Sequence, residues 1–311
     1  MKDVHLCISL TDRCQQACWF CAHDETLLGS RQDLAIDRLC AALLDFSGYR
    51  IHCIVTGGEP TIHPMFREAS RELRNNATKL GIATHGQCAN AWPIIASSYD
   101  VVAIPLYGDR HTHDNVVGRH GSWDRSCEAL QYLSNASPCH VVLKILALPE
   151  LLVAYELVLP ALLARLKVQE VHVSGLRTSA GVERTIRTEK WVATEFRRSL
   201  GRIAHILGES RIACSVEGLP FCHFSAEALT VLLPRLMWRV RGEARFALSA
   251  SGRLVANNIG GCCHVPECAG CLMHNICDGP YSKNAVQSLE RMPIRPFLSS
   301  SGADLVRGQP R

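Results

Sequence analysis

The sequence predicts an α/β fold built on a parallel sheet, and three observations carry that expectation. Short apolar runs alternate with longer segments of helical periodicity about six times between residues 4 and 175. Turn residues close several of the apolar runs, as Gly57-Gly58-Glu59-Pro60 does after residues 51–56. At 311 residues, 47% hydrophobic and 20% charged, the chain can bury one barrel-sized core with a small appendage. Strands that alternate with helices pair in parallel through helical crossovers. Periodicity alone leaves open whether such a sheet curls into a partial barrel or is doubly wound.

Taken in order, residues 4–10 read as a buried strand that runs into a cysteine-bearing loop. Residues 33–46 carry Leu34, Leu39, Leu43 and Leu44 at helical spacing. Residues 51–56 form the next strand, 65–80 a helix, and a strand at 82–83 leads to Thr84-His85-Gly86. A short helix at 93–98 precedes a strand at 101–106. A helix at 123–133, a strand at 141–148, a helix at 151–166 and a strand at 171–175 complete the alternation. Past residue 208 the rhythm changes: 211–216 reads as a further strand and 246–255 as a hairpin around Ser251-Gly252. Cysteines then become dense from Cys262, and residues 299–311 read as a flexible tail. The expected organisation is a barrel-like unit over 1–208, a cysteine-rich region over 209–298 and the tail.

Composition bounds the function. No apolar run approaches a membrane span and no charged-then-apolar leader opens the chain, so a cytoplasmic protein is expected. Sixteen cysteines in a chain of this size point to metal or redox use rather than a disulfide framework. The net charge of +4 is spread along the sequence, with no basic block of the kind that binds nucleic acid.

The chemistry starts at Thr11-Asp12-Arg13-Cys14-Gln15-Gln16-Ala17-Cys18-Trp19-Phe20-Cys21. Three thiolates on one short loop can converge on a single iron–sulfur cluster. A cubane has four irons, so one iron is left open for a ligand that is not protein. Chance would place about 0.04 such patterns in a chain with this many cysteines. The competing reading is a zinc knuckle completed by His23 or His52, in a zinc-binding interaction protein.

This loop, with Phe20 just before the third cysteine, resembles the signature of the radical S-adenosylmethionine (SAM) enzymes. The resemblance implies a partial (β/α)6 TIM barrel. It also implies a [4Fe–4S] cluster on Cys14, Cys18 and Cys21 whose open iron chelates SAM, reduced by a flavodoxin- or ferredoxin-type donor. Reductive cleavage of SAM then gives a 5′-deoxyadenosyl radical, and the protein's part is to bind, orient and exclude side reactions. Gly57, Gly58, Glu59 and Pro60 resemble the family's GGE motif, in which glycines permit close backbone approach and the carboxylate can meet the SAM ammonium. Thr84-His85-Gly86 stands where relatives carry Thr-Asn-Gly, so that His85 could face the ribose. Lys144, in the middle of an apolar strand, would pair with the SAM carboxylate or else snorkel on an outer face. Arg177 lies in a segment, residues 176–181, similar to one that lines the adenosine.

Farther on, Pro220-Phe221-Cys222 and Cys268-x2-Cys271-x5-Cys277 resemble the auxiliary-cluster region of the SPASM and Twitch branches. Cys222, Cys268, Cys271 and Cys277 would close one auxiliary [4Fe–4S] cluster; Tyr281 stands where a full SPASM pattern has another cysteine. A structural zinc site on the same residues is the alternative. Cys214, Cys262 and Cys263 are then spare: they are packing residues, substitute ligands or, for Cys262 and Cys263 above all, candidate hydrogen-atom donors to a substrate radical.

Two substrate classes follow. His113-Asp114-Asn115-Val116-Val117-Gly118, then Gly121-Ser122, together with residues 294–297, resembles the maturases of His-Xaa-Ser peptides. The first strand begins near Met1, which leaves no room for a peptide-recognition domain ahead of it. That favours a sugar-like or aminoglycoside-like intermediate undergoing epimerisation or dehydrogenation, with Asp109, Asp114 and Glu183 as carboxylates that would meet its amines.

Overall fold

The computed structural model describes residues 2–21, 32–136, 138–176, 193–233 and 244–256, with Cys268, Cys271 and Cys277. His23, Arg177, Glu183, Cys262, Cys263 and the tail from 299 lie outside the described residues.

Among the described residues nine strands form one sheet: β1 Asp3–Ser9, β2 Arg50–Thr56, β3 Lys79–Ala83, β4 Val101–Pro105, β5 His140–Leu146, β6 Glu170–Ser174, β7 Ala213–Glu217, β8 Ala244–Leu248 and β9 Leu254–Ala256. Their order is β7-β6-β5-β4-β3-β2-β1-β8-β9. From β7 through β1 to β8 every neighbouring pair is parallel, and only β9 runs antiparallel, on β8. The sheet is therefore open, as a partial barrel requires. The six expected strands are all present in order. The strand expected at 211–216 becomes β7. The expected hairpin becomes β8–β9, joined to the main sheet because β8 pairs with β1.

Helices α1 Ile36–Leu44, α2 Phe66–Asn76, α3 Trp92–Ser98, α4 Arg110–Val117, α5 Ser122–Ala136, α6 Pro149–Leu166, α7 Ala193–Ser210 and α8 Ala226–Leu232 occupy the connections. In α2 the buried side chains Phe66, Ala69, Ser70 and Leu73 follow the i, i+3, i+4, i+7 stripe that packs a helix on a sheet. Sequence periodicity missed α4, which is defined by its ends. Asp109 caps its N-terminus, accepting from Thr112 N at 2.8 Å, and Gly118 closes it with φ of 63°.

Strand register sorts the side chains into two faces. Ile8, Val55, Ile82, Val102, Val141, Leu143, Val171 and Cys214 share the outer face, are fully or almost fully buried, and belong to the core beneath the helices. Each such aliphatic side chain contributes about 1.5–3 kcal/mol on burial. The inner face carries Asp3, His5, Cys7 and Ser9 on β1, His52 and Thr56 on β2, and His140 and Lys144 on β5. On β6 and β7 it carries Glu170, His172, Ser174, Ser215 and Glu217. A closed parallel barrel fills this space with branched aliphatic residues. Here it is largely polar on β1, β6 and β7, with Ile54, Val101, Ala103, Val142 and Leu146 sharing it on β2, β4 and β5, so the outer face supplies most of the core.

Candidate active site

The cysteine loop leaves the C-terminal end of β1, where parallel barrels gather their sites. Its base is closed by residues 32–34: Asp12 N donates to Gln32 O at 2.9 Å and Leu34 N to Leu10 O at 2.8 Å. Arg13 pairs with Asp33 at 2.9 Å and donates to Ile62 O at 3.2 Å. The turn after β2 is pressed against the same loop. Gly58 N donates to Thr11 O at 2.7 Å and Glu59 N to Arg13 O at 2.8 Å. A Cβ on Gly57 would meet Thr11 O at 2.4 Å, and one on Gly58 would meet Arg13 O at 2.2 Å. The backbone that these two glycines allow to approach is the cysteine loop itself.

Glu59 is 1% exposed. Its Oε1 accepts from Thr61 N at 3.1 Å, from the Thr61 hydroxyl and from Thr84 Oγ1 at 2.6 Å, while Oε2 accepts from His85 N at 2.9 Å. The carboxylate thus binds the turn after β2 to the turn after β3. Burial lowers the His85 pKa, and the Glu59 charge opposes this only in part. His85 Nδ1 lies 3.2 Å from both Gln87 N and Glu59 Oε2, and Nε2 meets Gln15 Oε1 at 3.1 Å. A contact from His85 to a ribose would require one of these bonds to open.

Cys14, Cys18 and Cys21 are half-buried, and Cys21 N turns back to Cys18 O at 3.0 Å. Burial first, with the neighbouring thiols adding to it, pushes Cys18 up to about 12; burial, and to a lesser degree Glu59 and Cys21, pushes Cys14 up to about 11. The thiols are therefore neighbours, and loading them with metal displaces protons. Among the described residues no three His, Cys, Asp or Glu side chains are gathered closely enough to hold a single metal ion. Thiolates on separate irons of a cubane stand farther apart than the roughly 3.8 Å of a tetrahedral zinc site.

Tyr107, at the end of β4, was not singled out in the sequence. Burial raises its pKa well above the ordinary value, with smaller contributions from Cys18, Tyr155, Cys21 and Cys14. Its ring meets Phe20 edge-on at 4.9 Å and stacks on His113 at 5.4 Å. Asp109 and Asp114 serve their own backbone: Asp109 caps α4, and Asp114 accepts from Gly121 N at 2.6 Å and Trp123 N at 2.9 Å. Lys144 is half-buried on the inner face, in register with Pro105 and His172.

Across β5–β7 the inner face carries a continuous hydrogen-bonded chain that sequence reasoning missed. His140 Nε2 meets Glu170 Oε2 at 3.0 Å, Ser215 donates to Glu170 Oε1, His172 Nδ1 meets Ser215 Oγ at 2.7 Å, and His172 Nε2 lies 3.4 Å from Glu217 Oε2. Burial raises the Glu170 pKa, but the bonds from His140 and Ser215 outweigh it and the net shift is downward.

In the cysteine-rich region Cys277 is buried and its Sγ accepts from Phe221 N at 3.3 Å, which brings it against the Pro220-Phe221-Cys222 turn. Cys271 packs on the core, and Cys271 N donates to Cys268 O at 3.0 Å. Cys214 is 0% exposed on the outer face and packs in the core. Among the described residues none of the fourteen cysteines is held in a disulfide. Among the described residues no helix is long and apolar enough to cross a membrane.

Residues 8–153 match the family model described as the Radical SAM superfamily. The chain is 27% identical over 149 residues to GTP 3′,8-cyclase of Paracoccus denitrificans strain Pd 1222, an alignment covering 45% of this chain and 42% of that protein. It therefore spans less than half the length of this curated relative. Streptococcus suis SuiB bound to its precursor peptide SuiA shares the fold with a TM-score of 0.60 at 15% identity, over 82% of this chain and 59% of that one. The structure of anSMEcpe with bound AdoMet and Cp18Cys peptide shares it with a TM-score of 0.64 at 11% identity, over 98% of both chains.

Proposed function

We propose that this chain, whose residues 8–153 are a radical SAM domain, is an enzyme that abstracts hydrogen from an unactivated C–H bond of a peptide substrate. One observation carries the reading. Three neighbouring thiols sit on a loop that the Gly57–Pro60 turn clamps at the C-terminal ends of β1 and β2. A [4Fe–4S] cluster bound there with SAM supplies a 5′-deoxyadenosyl radical once it is reduced.

The chain's own residues would then have distinct tasks. Cys14, Cys18 and Cys21 hold three irons. Glu59, Thr84 and His85 keep the cysteine loop rigid, Gly57 and Gly58 let the turn after β2 seat against it, and the Phe20 ring and Lys144 would meet SAM. Tyr107 and His113 shield the thiols from water on the β4 side. Cys222, Cys268, Cys271 and Cys277 would hold an auxiliary cluster in the region 209–298, and a flavodoxin- or ferredoxin-type protein donates the electron. Cysteines outside disulfides among the described residues, and oxygen-sensitive clusters, fit a reducing, cytoplasmic compartment.

The sugar-like substrate expected from the sequence finds no support in these comparisons. Two of its candidate carboxylates, Asp109 and Asp114, already serve backbone donors. Two solved structures that share the fold hold peptides, which favours the peptide reading. Candidate precursor peptides and aminocyclitols, each deuterated at carbon, test it with reconstituted enzyme and SAM. Deuterium in 5′-deoxyadenosine from a peptide supports the proposal; deuterium only from an aminocyclitol overturns it.

A further inference from the structure

His223 is 1% exposed, and among the described residues neither of its ring nitrogens has a hydrogen-bond partner. Leaving a buried polar group unpaired destabilises the fold, and here both nitrogens of one ring are left so. Such groups in native proteins ordinarily mark a missing ligand, ion or water.

Position says which. His223 closes the short turn Phe221–His223, its backbone N–H bonded to Pro220 O at 3.0 Å. It follows Cys222 directly, and the turn's first N–H, on Phe221, reaches the Cys277 sulfur at 3.3 Å. On its other side the ring meets the edge of Phe196 of α7 at 6.2 Å, an apolar contact that satisfies neither nitrogen. The adjacent Arg197 stands close enough for its charge to act on His223. The buried imidazole, with the Arg197 charge acting on it, thus belongs to a turn that carries Cys222 and binds Cys277 through its backbone. That is the wrong company for a second cation and the right company for a cluster whose thiolates and sulfides are anionic acceptors.

We infer that His223 donates an N–H···S hydrogen bond to the auxiliary [4Fe–4S] cluster held by Cys222, Cys268, Cys271 and Cys277. This rests on the auxiliary-cluster reading above. Hydrogen bonds to the sulfurs of such a cluster help set its reduction potential. His223 is accordingly a positioning and tuning residue rather than a ligand.

The test is the iron content and the EPR-monitored redox titration of the full-length, anaerobically reconstituted chain. The auxiliary signal is recognised as the one that SAM does not perturb. The wild type is expected to hold about eight irons. His223→Phe, similar in shape and unable to donate, should keep them while the auxiliary midpoint shifts to more negative potential. His223→Gln, which restores an N–H, should return the midpoint toward the wild-type value. An unchanged midpoint in His223→Phe overturns the inference and leaves His223 a buried packing residue. Loss of about four irons in His223→Phe overturns it in favour of direct ligation. A wild type with only about four irons instead overturns the auxiliary-cluster reading beneath it, so the two failures are told apart.

Discussion

A Cβ built on Gly58 would stand 2.2 Å from the carbonyl oxygen of Arg13, inside any allowed contact. The turn after β2 and the cysteine loop are therefore fitted to each other through backbone, and neither can move to make room. Gly58→Ala should lose the cluster on Cys14, Cys18 and Cys21, lowering iron by about four per chain. Overpacking at such a point costs about 1–3 kcal/mol. Iron analysis beside a urea titration checks both effects; a variant with full iron content contradicts the fitted-loop account.

Thr84 Oγ1 donates to Glu59 Oε1 at 2.6 Å in a fully buried setting. Thr84→Val keeps the shape and removes the donor, so the carboxylate loses one of its partners. A loss of about 1–3 kcal/mol in unfolding free energy is expected. The effect should be largest in the chain without its cluster, because the link spans the two turns that frame the cysteine loop.

Ser215 joins two buried groups, Glu170 and His172. Ser215→Ala should leave iron content unchanged, since the residue lies on the wall of β5–β7 and away from the cysteine loop. It should also raise the Glu170 pKa. The sign follows from linkage: a depressed carboxylate contributes stability above its unfolded pKa and loses it as pH falls through the folded one. Wild type should therefore be the more stable at neutral pH, and the difference should shrink on acidification toward pH 3, as urea titrations across that range would show.

His113 gives a dependence of the same sign in a higher pH window. Burial, opposed in part by the Asp114 charge, lowers its pKa to about 4. Below pH 6.5 the unfolded chain binds a proton that the folded chain refuses until about pH 4, so this group removes stability across that window and has no effect above it. The full loss is about 3 kcal/mol. Denaturation at pH 7 and pH 5, before cluster reconstitution, should show a smaller fall in His113→Asn than in wild type; equal falls contradict the assignment.

The cysteine loop and the Gly57–Pro60 turn are legible in the sequence because their chemistry is local: the residues that act together are adjacent. The sheet is legible for the same reason, since each strand and helix announces its own periodicity. The wall formed by His140, Glu170, His172, Ser215 and Glu217 is not, because strand register alone assembles it from three separate strands. A signal does exist in Glu170-x-His172-x-Ser174 and Ser215-x-Glu217: polar residues at every second position mark a strand with one face away from the core. Helix α4 escaped because its apolar stripe is short and its cap residues, Asp109 and Gly118, read as a motif instead. Tyr107 escaped because nothing in the sequence places a strand-end tyrosine beside a loop some ninety residues earlier.

The most direct test is 5′-deoxyadenosine itself. The chain is reconstituted anaerobically with iron and sulfide, reduced with dithionite and given SAM, and the nucleoside is measured beside that from Cys18→Ala and Cys268→Ala. The account predicts 5′-deoxyadenosine from the wild type, its loss in Cys18→Ala and its persistence in Cys268→Ala. A wild-type chain that takes up zinc but no iron–sulfur cluster, or a Cys18→Ala variant that still cleaves SAM, would contradict it.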